Sequence, residues 1–134
     1  MVIGSHPHVI QPMEWNTETG QLIAYSLGNF ISGQRVRYRN GGALLHVDLE
    51  KQKTVDGRDS VRVADASYTL AWVHRQSDKR KTFQLIPVSD LQDTLKVKGT
   101  SSRALMKEFI LDSRSFLDSM NKNVHERGLS RKEP

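Results

Sequence analysis

The apolar residues of this chain change their period once, near residue 100, and that change limits what it can fold into. Before it they run in short alternating or continuous stretches broken by polar turns, which is the pattern of strands. After it Leu105, Met106, Phe109, Ile110, Phe116, Leu117 and Met120 recur at steps of three, four and seven, laying one apolar stripe along a helix. The combination predicts an α+β chain, rich in β structure, with antiparallel hairpins followed by one amphipathic C-terminal helix.

Within the strand half, residues 13–15 and 21–27 flank Asn16-Thr17-Glu18-Thr19-Gly20, a polar turn ending in glycine, and predict a hairpin with a five-residue loop. Leu22-Ile23-Ala24-Tyr25-Ser26-Leu27 is apolar at nearly every position, so this strand is expected inside a sheet and buried on both faces. Gly28-Asn29-Phe30 breaks it, and residues 32–42 form a basic, glycine-bounded loop. The next strand, 43–49, puts Leu45, Val47 and Leu49 on one face. Residues 51–60 read as a solvated turn around Asp56-Gly57, ahead of a long strand over 61–74. A second polar turn follows over 75–81, with Lys79-Arg80-Lys81 at its tip, and a last strand carries Phe83 and Leu85 and closes at Pro87. Ser101 or Ser102 is placed to cap the helix, Gly128 lies past its end, and the charged tail is expected to fray.

A chain of 134 residues supports one core. Its net charge of +5 favours a polyanion: nucleic acid, an anionic membrane surface or an acidic polymer. Nucleic acid is not expected, because Trp15, Trp72, Tyr25 and Phe30 do not interleave with basic residues as a stacking platform requires. With no cysteine there is no disulfide, thiolate metal site or cysteine nucleophile. No stretch approaches the roughly 18 apolar residues that span a bilayer, and no signal-type segment opens the chain, which predicts a soluble chain with no targeting segment. Met1-Val2-Ile3-Gly4 runs off an apolar strand end straight into a turn, so sequence upstream is expected, and with it self-association through the strand edge that is left exposed.

That turn is the most informative segment. In Gly4-Ser5-His6-Pro7-His8 two imidazoles stand two residues apart after a strand, a spacing that can aim both rings at one pocket, and neutral imidazole is a ligand for Zn, Mn and Fe. Two histidines do not hold a metal tightly, and two surface loop histidines are the plain alternative. Ser26 lacks the Gly-x-Ser-x-Gly elbow of a serine nucleophile, and His46, His74 and His125 fit ordinary sheet positions or a frayed helix end.

Val2-Ile3-Gly4-Ser5-His6-Pro7-His8-Val9-Ile10-Gln11-Pro12-Met13-Glu14, followed by Leu22-Ile23-Ala24-Tyr25-Ser26-Leu27-Gly28-Asn29-Phe30, closely resembles the bacterial CapA-type capsule-synthesis family of the poly-γ-glutamate branch. Asn40-Gly41-Gly42-Ala43-Leu44-Leu45 and Phe83-Gln84-Leu85-Ile86-Pro87 extend the resemblance over about residues 1–90, the C-terminal part of that domain. Residues 91–126 then read as linker and helix and 127–134 as a flexible tail. The resemblance implies a calcineurin-like metallophosphoesterase fold, a two-sheet αββα sandwich, in which Gly-x-His-x-His supplies late ligands to a two-metal site. His6 and His8 match those ligands. Gln11 and Glu14 match family positions, Glu14 as a group that orients an imidazole, and Asn29 is placed beside the metal pocket with a turn role as its alternative.

The family's earlier Asp, His and Asn ligands have no counterpart here. A two-metal centre polarises a phosphoryl group and supplies a hydroxide nucleophile, so this chain alone is expected to be catalytically silent and to bind divalent Mn, Zn or Fe weakly. The resemblance further implies a role at the bacterial cell envelope or surface, with membrane anchorage through an N-terminal part outside this chain and an acidic polymer or phosphorylated compound as substrate. Arg35, Arg37 and Arg39 alternate with Val36 and Tyr38, so their guanidinium groups can share one face and grip such a polymer, or else form a solvated loop. The competing class is a non-catalytic β-rich interaction domain that binds an acidic polymer.

Overall fold

The computed structural model describes residues 1–76 and 82–127 and has mixed α/β architecture with two sheets and one α-helix. The smaller sheet holds β1 (Val2–Ile3), β2 (Met13–Asn16) and β3 (Gln21–Ala24) in the order β1-β3-β2, with β1 parallel and β2 antiparallel to β3. The β2–β3 turn closes where expected, because Gly20 adopts a φ of 68° and the Asn16 side chain accepts from the N–H groups of Glu18 and Thr19.

The larger sheet is an antiparallel meander of β4 (Gly41–Lys53), β5 (Asp59–Arg75) and β6 (Phe83–Val88). A 3-10 helix (Leu91–Lys96) and α1 (Thr100–Met120) follow, and β7 (His125–Glu126) pairs in parallel with Ser67 and Tyr68 of β5, beyond the stretch that β6 occupies. Met106, Phe109, Ile110 and Leu117 of α1 share a single buried cluster with Leu70 and Trp72 of β5, Met13 and Leu22 of the small sheet, and Ile86 and Val88 of β6. Each such side chain contributes about 1.5–3 kcal/mol by leaving water, and the Phe109 and Trp72 rings meet at 5.6 Å between centroids.

Two backbone seams join the sheets. Ala43 N–H donates to Leu27 O (2.8 Å) and Asn29 N–H to Gly41 O (3.0 Å). Gly42 permits this approach, since a Cβ there would strike the Leu27 and Asn29 carbonyl oxygens. At the other end Lys122 N–H donates to Met13 O, Trp15 N–H to Lys122 O, and Arg127 N–H to Tyr68 O, so residues 122–127 touch both sheets.

Several local expectations are corrected. Burial along 22–26 alternates, with Leu22, Ala24 and Ser26 inside and Tyr25 exposed, because only one face of the small sheet is covered. Leu49 is exposed: the register shifts after Asp48, and the β4–β5 ribbon beyond runs into solvent. That ribbon also shortens the predicted turn, since Lys51–Asp59 and Glu50–Arg62 ion pairs carry polar residues on as strand. β6 closes one residue past Pro87, at Val88, and it is an edge strand, where the missing N–H of Pro87 costs no ladder bond. The cap of α1 is Gly99, not Ser101 or Ser102, and the helix ends at Asn121, so His125 belongs to a strand and not to a frayed helix. Gly128 and the Lys79-Arg80-Lys81 tip lie outside the described residues. Among the described residues no helix is long and apolar enough to cross a membrane. β1 is an edge strand with Val2 and Ile3 exposed.

Candidate functional site

The His-x-His turn sits where the small sheet meets β4. Gly4 N–H donates to Ala24 O and its carbonyl accepts from Leu27 N–H, which fixes the chain as it leaves β1. His8 N–H then closes a turn onto Ser5 O (3.1 Å), and His8 itself adopts a φ of 61°, a left-handed conformation uncommon for a residue with a Cβ. His8 stays exposed, at the rim of the corner. It lines an open cavity of about 820 Å³ together with Asn29, Ser5 and the apolar side chains of Ile3, Phe30 and Leu45.

Asn29, only 4% exposed, organises this corner. Its Nδ2 donates to Gln34 Oε1 (3.0 Å) and to Arg39 O (2.6 Å), which leaves Oδ1 to face His8 Nδ1 at 2.7 Å. An amide oxygen can only accept, so Nδ1 carries a proton, and of the two neutral tautomers the contact selects the one whose lone pair is on Nε2. Holding one ring nitrogen as a donor so that the other can coordinate is how imidazole ligands are oriented. Gln34 is the member of this network that sequence reading missed, since nothing in its neighbours marks it.

The other candidates separate. His6 occupies the outer corner of the turn, exposed, outside the cavity and without a hydrogen-bond partner among the described residues, so only His8 of the pair enters the pocket. Gln11 N–H donates to Ser26 O. Glu14 does not reach an imidazole: β2 lies across β3 from β1, and its carboxylate meets Lys122 Nζ at 3.3 Å beside a different hollow.

Nor do the three loop arginines share a free face. A turn from Val36 O to Arg39 N–H and a φ of 71° at Tyr38 break the alternation on which that expectation rested. Arg35 Nη1 donates to Val73 O (2.5 Å), and Arg37 forks onto Asp112 of α1 (3.0 and 3.1 Å) with Glu108 at 3.5 Å. Of the three, Arg39 is exposed and its side chain has no partner among the described residues. His46 bonds to Thr69 Oγ1 across the β4–β5 ladder, an ordinary sheet role. Among the described residues no group of three or more His, Asp or Glu could hold a metal ion.

Residues 1–34 match the family profile described as Bacterial capsule synthesis protein PGA_cap. The PGA biosynthesis protein CapA of Bacillus subtilis (strain 168) is 39% identical over 83 residues, covering 61% of this chain and 21% of that protein. The chain therefore aligns with about a fifth of the curated relative's length. No solved structure matches the chain.

Proposed function

From the premise that this chain is a segment of a CapA-type capsule-synthesis protein, we propose that its histidine turn contributes ligands to a divalent-metal centre of a phosphoesterase-like domain acting in capsule polymer synthesis or export at the cell envelope. The observation that carries this reading is the Asn29 Oδ1 to His8 Nδ1 contact, which orients a ring that lines the cavity and leaves its Nε2 as the nitrogen available to a ligand. His8 is exposed, yet its ring meets a buried amide that two further hydrogen bonds hold in place.

The residues present do not make a complete metal site. Two exposed imidazoles, one of them oriented, fall short of the about four ligands that Zn requires, and among the described residues no acidic residue joins them. No catalytic step is therefore derived through a metal, and the chain by itself is proposed to be silent. The αββα sandwich of the metallophosphoesterases is part of the same proposal, and so is an acidic polymer or a phosphorylated compound as substrate.

Calorimetry with Zn or Mn on this chain should give weak, substoichiometric binding that falls further in His8→Ala than in His6→Ala. Full-length protein should hydrolyse a generic phosphoester only with a divalent metal and lose this in both variants. A tight two-metal site in this chain alone, or full-length hydrolysis indifferent to both substitutions, would overturn the reading.

A further inference from the structure

A second cavity, of about 220 Å³, lies under the loop that carries Arg35, and it adjoins a hollow of about 370 Å³ through His74, Arg75 and Ser102, which line both. Lys96, which pairs with Asp93 at 2.5 Å, and Lys98 border the hollow, and among the described residues no carboxylate lines either space. The charges of Arg35, Arg75 and Lys98 repel one another, which favours an anion between them.

The hydrogen-bond inventory points the same way. Arg35 spends Nη1 on Val73 O, while its Nε and Nη2 are buried without a partner. Those two atoms form the fork that this protein elsewhere closes on a carboxylate, in Arg62–Glu50 and in Arg114–Glu126. Trp72 and Asn40 line the same cavity, each 2% exposed, and Trp72 Nε1 and Asn40 Oδ1 also lack partners. Buried polar atoms are ordinarily paired, so the orphaned donors Arg35 Nε, Arg35 Nη2 and Trp72 Nε1 mark the place of an acceptor ligand, whereas Asn40 Oδ1, an acceptor, bonds such a ligand only through a proton that the ligand carries. Ser102 lies in the first turn of α1, whose cap Gly99 supplies no side-chain acceptor, so the N–H groups of that turn remain open to an anion.

We propose that this cavity binds an oxyanion, the carboxylate or phosphate group of a small ligand, through Arg35, Arg75 and Trp72 with Ser102 at the start of α1. The site stands apart from the histidine turn and requires no metal. Burial, and then the charge of Arg35, hold His74 below its ordinary pKa, which leaves it neutral and able to donate one N–H to the ligand.

The test is a titration of the full 134-residue chain with inorganic phosphate and, separately, with glutarate, ionic strength being balanced with chloride, read by 15N NMR. The Trp72 indole and Arg35 Nε signals should shift saturably, while the indole of Trp15, also buried and unpartnered but beside Glu14 and Lys122, should not move. Response to phosphate alone, glutarate alone or both identifies the group and in each case supports the site. Arg35→Gln and Arg75→Gln should each weaken binding by about tenfold, the worth of one charge-assisted hydrogen bond, whereas Lys53→Gln, an equal loss of charge on exposed β4, should not. If Arg35→Gln fails to fold, Arg75→Gln decides, since Arg75 is exposed and its side chain makes no hydrogen bond among the described residues. Shifts no larger than in chloride, equal movement of both indoles, or Arg75→Gln binding as wild type would overturn the proposal.

Discussion

Arg114 and Arg35 are chemically the same side chain placed at two corners of one fold, and they have opposite surroundings. Arg114, on α1, turns its Nε and Nη2 onto both oxygens of Glu126 at 2.8 Å, and that carboxylate is 2% exposed. Arg35 buries the same two nitrogens without a hydrogen-bond partner, its guanidinium over the Phe83 ring at 5.8 Å to the centroid. Where the chain supplies its own carboxylate the fork is a lock, tying α1 to β7 and so to β5. Where the described residues supply none, the fork is the one proposed to take an oxyanion.

The largest test of this contrast is stability. Arg114→Ala strands a buried carboxylate and should cost about 3–5 kcal/mol, read as a lower urea midpoint. Arg35→Met should change stability by no more than about 1 kcal/mol in anion-free buffer, since one hydrogen bond is lost but a buried charge is relieved. Phosphate should then raise the midpoint of the wild type but not of Arg35→Met, because only a ligand that prefers the folded state stabilises it. If Arg35→Met destabilised as much as Arg114→Ala, the two corners would be alike and the contrast wrong.

A middle effect belongs to the histidine corner, which resembles the Arg114 corner in being internally satisfied. Asn29→Ala removes three hydrogen bonds from a buried position and should cost about 1–3 kcal/mol. More tellingly, the His8 ring should pass from one tautomer to a mixture, visible in its 15N shifts. An unchanged tautomer would mean that Asn29 does not orient the ring.

The smallest effect is a pH dependence. His74 is held below its ordinary value of 6.5, first by burial and then by Arg35, with Arg75, Lys96 and Lys98 bordering the same space. The unfolded chain therefore binds a proton that the folded chain resists. Stability from this group is level above about 6.5, falls as pH drops below it, and levels off again beneath the folded pKa. The slope should be shallower in His74→Gln, and phosphate should flatten it by drawing a proton onto His74. A slope identical in wild type and His74→Gln would assign it to other groups.

Much of the fold was legible because it is written in near neighbours. The polar Asn16–Gly20 turn, the meander and the apolar stripe of α1 follow from residues within a few positions of one another, and the histidine motif marked the corner that holds His8. Burial on one face was not legible at Tyr25 or Leu49, since periodicity states which residues share a side and not whether that side is covered.

What the sequence by itself determined, then, was strands, helix and the motif of a capsule-synthesis family. Tertiary structure alone decided which polar atoms find partners. Asn29 meets His8 across 21 positions, Arg37 meets Asp112 across 75, and Asn121 meets Met13 across 108. A hydrogen bond requires a donor and an acceptor within about 3 Å, and no local pattern brings residues so far apart in the chain to that distance. For the same reason the alternation of Arg35, Arg37 and Arg39 predicted one shared face, whereas the fold sent Arg35 to β5, Arg37 to α1 and left Arg39 in solvent.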